Sequence, residues 1–211
     1  MVAKTQLRPI EERDSRAVKS VLLTLLTCSL ALCAPGLASA RHQTADPDPA
    51  LAPLGACAGD QTISASAAAE RASMTCLVNY ARRSWALPTL TSSPQLARAA
   101  QLKLGDDSRC DAFSHSACGL PRISVFVRSG YLTGARSYHL GENLAWGQND
   151  LGSPRSIMAA WLASPEHRAN LLDPRYRELG VAYLSADTFL GASGAQLWVT
   201  EFGLRVRAPS Q

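Results

Sequence analysis

Apolar positions along the chain change their period from helix-like to strand-like between the two ends. Met74, Leu77, Val78, Ala81 and Trp85 fall at i, i+3, i+4, i+7 and i+11, which puts them on one face of a helix. Pro88 closes that segment. Ser92-Ser93-Pro94 supplies a cap and a proline for the first turn of a second helix. Leu96, Ala99, Ala100 and Leu104 are its buried stripe, and it runs to about Asp107. Asp111 to Gly119 reads as a loop, and a short helix is predicted over Pro121 to Ser129. "HLGENLAWG" reads as a short strand or extended segment. Ser153-Pro154 caps another helix with Ile157, Ala160 and Trp161 inward. "SPEHRANLL" restarts with Ser164 as cap, Pro165 in the first turn and Glu166 near the positive end of the helix dipole. The last third is β: "RELGVAYLS" and "AQLWVTEFGLRV" are two strands joined through the turn region "ADTFLGASG", and they should pair antiparallel. The fold class is therefore α+β, with helices covering an antiparallel sheet.

The N-terminus does not belong to this pattern. A polar, net basic segment ends at Lys19, and an apolar run of 14 residues, Val21 to Ala34, follows. That is short of the ~20 residues needed to span a bilayer. Ala38-Ser39-Ala40 is a small-x-small site, so residues 1–40 read as a signal peptide cleaved after Ala40, with no transmembrane anchor in the mature form. Residues 41–63, rich in Pro, Asp and Ala, read as an extended leader before a domain over 64–205. The expected destination is outside the cell.

Removing the signal lowers the charge. The whole chain has 21 Lys/Arg and 17 Asp/Glu; beyond residue 40 these become 16 and 14. No clustered basic stripe exists, so no nucleic-acid partner is expected. Cys28 and Cys33 leave with the signal, and Cys57, Cys76, Cys110 and Cys118 remain. An even count in an exported chain implies disulfides. Three pairings are open; Cys57–Cys76 with Cys110–Cys118 is favoured because both loops are short. None of the mature cysteines has the C-x-x-C spacing of a metal site.

The candidate chemistry is sparse. There is no G-x-S-x-G elbow, no H-E-x-x-H and no phosphate-binding loop. Gly134 and Gly141 read as turn glycines. His42 lies in the leader. His115 lies in "FSHSACG", a loop that a Cys110–Cys118 bridge would pin. Glu142 is an acid inside the mostly apolar "GENLA", costly to bury without a partner. His139 precedes it by three residues, which in a strand places the two on opposite faces. His167 sits in the first turn predicted from Ser164, and Asn143 and Asn170 flank the same motifs.

Together "FSH", "GENLAWG", "AAWLASPEHRANLLDPRYRELGVAY" and "WVTEFG" resemble, in order, the CAP superfamily of cysteine-rich secretory, antigen 5 and pathogenesis-related proteins, and within it the bacterial SCP-like extracellular branch. The likeness spans residues 73–203. It implies a three-layer α-β-α sandwich with a central antiparallel sheet. It also implies a cleft lined by His115, Glu142 and His167. Eukaryotic relatives place a fourth, acidic residue three positions after the tryptophan that Trp161 resembles. Ser164 stands there in this chain, which leaves Glu166 as the nearby acid. His115, Glu142 and His167 form a reasonable ligand set for Zn²⁺ or another divalent metal. The family's clefts and apolar surfaces are associated with sterol, lipid or protein ligands. A binding module is thus the first expectation. A metal-assisted hydrolase acting on peptide or cell-envelope material and a purely structural extracellular protein are the alternatives, and no residue is assigned as catalytic.

Overall fold

A computed structural model of the chain describes residues 48–64 and 66–207. The proposed signal peptide, its cleavage site after Ala40 and His42 lie outside the described residues. In chain order the elements are α1 (Ala67–Ser84), β1 (Thr91–Ser92), α2 (Pro94–Arg109), α3 (Ile123–Arg128), β2 (Ala135–Gln148), α4 (Pro154–Ala163), α5 (Pro165–Leu171), β3 (Glu178–Phe189) and β4 (Ala192–Arg207).

Local chemistry sets the ends of α1. Ser66 Oγ accepts from Ala69 N at the start. At the other end Ala86 takes a left-handed conformation (φ 53°), Ala86 N–H bonds to Arg83 O and Leu87 N–H to Arg82 O. That is a Schellman ending, and it stops the helix before Pro88. Trp85 is the C-cap residue and swings out, 52% exposed, instead of completing the buried stripe with Met74, Leu77, Val78 and Ala81. The Arg168 guanidinium lies 5.3 Å from its ring centroid. α2 follows its sequence pattern: Ser93 Oγ accepts from Leu96 N, Pro94 occupies the first turn, and Leu96, Ala99, Ala100 and Leu104 are buried.

The sheet order is β1-β3-β4-β2. β4 is central and pairs antiparallel with both long neighbours. The two-residue β1 was not expected from the hydrophobic pattern, and it joins β3 in parallel. The β3–β4 turn is tighter than the nine-residue region expected: only Leu190 and Gly191 lie between the strands, both at positive φ, the geometry that matches strand twist.

Helices cover both faces, which gives the three-layer α-β-α arrangement. On one face α1, α4 and α5 bury Met74, Leu77, Trp161 and Leu171 against Trp198 and Phe202. On the other, α2 lays Ala100 and Leu104 over Leu144, Trp146, Ala182 and Val199. Gly180, Glu201 and Glu142 form one cross-strand row. A Cβ on Gly180 would fall 2.0 Å from the Leu96 carbonyl carbon, so this row faces α2. Gly141 is not a turn glycine: it lies inside β2, where a Cβ would meet the Tyr176 hydroxyl at 2.2 Å.

The leader is part of this core. Ala50 and Ala52 are fully buried in the α1/α4 cluster beside Cys57. Asp48 pairs with Arg168, and Arg155 pairs with Asp60 at 2.9 Å. Both disulfides take the local pairing, Cys57–Cys76 and Cys110–Cys118.

Candidate functional site

The loop after α2 carries His115. Cys110–Cys118 closes it across eight positions, which limits the conformations His115 can sample. From inside, Lys103 holds it: its ammonium pairs with Asp107 at 2.7 Å and donates to Ser114 O. Phe113 packs edge-on against Phe189 at 6.5 Å. His115 then sits on β2 with its Nδ1 against Glu142 Oε1. A carboxylate accepts and does not donate, so Nδ1 carries a proton. The Glu142 side chain is sealed, whereas that of His115 is 31% exposed. The pair therefore reaches solvent through the imidazole.

The acid beside this pair is Glu201. It stands directly across from Glu142 in the β2–β4 register and is fully buried. Glu142 Oε2 and both Glu201 carboxyl oxygens find no donor among the surrounding groups. Burial raises Glu201 well above the ordinary carboxylic acid value, and the facing Glu142 raises it further, against Arg122 and Lys103. A proton on one Glu201 oxygen directed at Glu142 Oε2 accounts for two of the three orphaned oxygens. Asp107 lies on the same side: burial lifts it to about 6, although Lys103 pulls the other way.

His167 approaches from α5. Ser164 is the N-cap residue but bonds no backbone N–H with its side chain; its Oγ is 2.8 Å from His167 Nδ1. Two asparagines clamp the helix to β2: Asn143 donates to His167 O at 3.1 Å, and Asn170 donates to Glu142 O at 3.1 Å and Asn143 Oδ1 at 2.9 Å. His167 is 5% exposed. Burial first, then the charge of nearby His115, holds its imidazole below the usual histidine value, with Glu166 opposing. Glu166 itself is exposed on the first turn of α5. It acts on His167 through its charge. His139 lies on the opposite side of β2 from Glu142, bonded to Asp173 at 2.9 Å and stacked on Tyr176.

Among the described residues no three His, Cys, Asp or Glu side chains converge to hold an ion. His115 Nδ1 and Glu142 Oε1 satisfy each other, and His167 Nδ1 is taken by Ser164. For the His115, Glu142 and His167 set expected for Zn²⁺, those bonds leave the Nε2 of each ring as the nitrogen a metal would use, since a ligating imidazole commonly has its other nitrogen held by a hydrogen bond.

Comparison with known proteins agrees with the fold. The model of the cysteine-rich secretory protein family (CAP) matches residues 76–202, more than half of the chain, and the chain belongs to that family. It is 27% identical over 126 residues to the uncharacterized protein YkwD of Bacillus subtilis strain 168, covering 60% of this chain and 44% of that protein. An extracellular SCP-domain protein of Bacillus anthracis superposes with a TM-score of 0.50 at 25% identity, over 64% of this chain and 39% of the other. An outer surface protein of Borrelia burgdorferi gives 0.56 at 17% identity, over 69% of this chain and 99% of the other. The chain thus spans less than half the length of YkwD and of the Bacillus anthracis protein. No helix among the described residues is long and apolar enough to cross a membrane.

Proposed function

We propose that this chain is exported, loses residues 1–40 after Ala40, and serves outside the cell as a binding module whose ligand meets the exposed imidazole of His115. The observation that carries this reading is the His115–Glu142 pair: a sealed carboxylate fixes the tautomer of a partly exposed imidazole and orients it toward solvent. Such a group suits a hydroxyl or carboxyl head group, as offered by a sterol, a lipid or a side chain of an extracellular protein. Two disulfides and the described locations of the structural neighbours support export. A sealed carboxylate bonded to one imidazole, with a second sealed carboxyl facing it across the strands, is a costly arrangement for a merely structural role.

The test titrates the mature chain, isotopically labelled at histidine, with sterol and phospholipid vesicles and with a fractionated secretome. A ligand should shift the His115 resonances and bind at least tenfold more weakly to His115→Gln at unchanged melting temperature. Equal binding by that variant, or no binding across the screen, would refute the reading. Zinc calorimetry is a separate check: a stoichiometric site lost in both His115→Ala and His167→Ala would establish a metal centre.

A further inference from the structure

The outer edge of β3 is left open by the sequence. Thr91 N–H bonds to Arg177 O and Ser93 N–H to Leu179 O, each at 2.9 Å. Pro94 then turns the chain into α2, so β1 ends after covering only Glu178 and Leu179. In a strand, the N–H and C=O of one residue point to the same side and alternate along the chain. Because Leu179 faces β1, the backbone groups of Val181, Tyr183 and Ser185 also face away from β4. No strand among the described residues pairs with them.

Two cavities lie in succession along this open stretch. The first, about 500 Å³, runs from Leu179 to Val181 between α1 (Arg71, Ala72, Thr75) and the start of α2 (Pro94, Ala97). The second, about 440 Å³, runs from Tyr183 to Ser185 beside Ile63, Ser64 and Ala67. Neither is lined by His115, Glu142 or His167. The edge is recessed at Val181 (5% exposed) and Tyr183 (9%) and opens at exposed Ser185. A second globular copy, whose own edge is equally recessed, cannot reach Val181 and Tyr183, but a single extended chain can. Arg71 is the one charged residue lining the first cavity.

We infer that the β3 edge from Val181 to Ser185 is a docking site for an extended polypeptide segment. The segment adds as a further strand, takes up the outward backbone groups of Val181, Tyr183 and Ser185, and sets an acidic side chain against Arg71. Backbone pairing supplies affinity, and the flanking cavities receive alternate side chains. This site is separate from the His115 cleft and does not rest on it.

The experiment uses the purified mature chain and a capped seven-residue peptide alternating Val and Thr, with Asp at both ends. In the free chain the amides of Val181, Tyr183 and Ser185 should exchange with solvent far faster than those of Gly180, Ala182 and Leu184. The peptide should slow the first set at least tenfold. Its N-methylated counterpart should not bind, and Arg71→Gln should weaken binding of the acidic peptide. Val181→Pro removes one outward N–H without touching the β4 ladder and should cost tenfold or more in affinity. If that variant does not fold, the exchange pattern and the N-methylated peptide still decide. Protection of these amides in the free monomer, equal binding of the N-methylated peptide, or a dimer that protects this edge would overturn the inference. His115→Gln should leave peptide binding intact; its loss would merge the groove with the His115 cleft and overturn the claim of a separate site.

Discussion

Replacing Glu201 by Gln should stabilise the protein, and the gain should grow with pH. Glu201 has no solvent access, and its burial and the facing Glu142 both favour its neutral form. In the unfolded chain a glutamic acid titrates near 4.5. Above that pH the unfolded state releases a proton that the folded state keeps, so folding becomes less favourable as pH rises. The slope is about 1.4 kcal/mol per pH unit until the folded-state pKa is reached. At pH 7, about 2.5 units above the unfolded value, the cost has an upper limit of ~3.5 kcal/mol. Gln has nearly the same shape, needs no proton and can donate N–H to the orphaned Glu142 Oε2. The assay is urea unfolding of wild type and Glu201→Gln at half-unit intervals from pH 4.5 to 8, with disulfides intact. The two should be nearly equal at pH 4.5, and the variant should lead by ~2–3 kcal/mol at neutral pH. A variant that is destabilised by the same amount at every pH would refute the shared-proton argument.

Gly180→Ala should cost roughly 3 kcal/mol or more, read as a lower urea midpoint, because its Cβ would meet α2 backbone atoms at 2.0–2.3 Å, where no side chain can yield. Removing Cys110 and Cys118 together should lower stability by about 2–3 kcal/mol from lost loop closure and should broaden the His115 resonances; sharp, unshifted signals would contradict the pinning role of the bridge. His167 is held neutral by burial, so below about pH 6.5 the unfolded chain gains a proton before the folded one and stability falls. His167→Gln should lack that acid-side loss in a pH series of thermal melts.

The stripe of α1 and α2 could be read from the chain because both helices bury one continuous face. Trp85 broke the reading: periodicity extends the helix to it, but a left-handed Ala86 ends the helix first, and alanine gives no warning of that. β1 could not be foreseen, since two residues carry no alternation. The site was half legible. Glu142 stood out as an acid within an apolar segment, and the same rule applies to Glu201 in "WVTEFG", where alternation puts it on the Val199 side of β4. The family likeness points instead to the helix for a fourth group, at Ser164 and Glu166. What joins Glu201 to Glu142 is strand register, a relation between residues 59 positions apart that no local spacing encodes.

The folding unit also begins earlier than the family match, and this has a consequence for proteolysis. Pro53 to Ala56 and Ala58 to Gly59 are exposed on either side of buried Cys57. A cut at Leu54–Gly55 frees a fragment that carries Ala50 and Ala52, and the core is left with two vacated alanine positions. A cut at Ala58–Gly59 leaves the same segment attached through Cys57–Cys76. One scission is therefore destructive, and the other stays silent until a reductant arrives. Non-reducing and reducing gels of the nicked protein tell them apart.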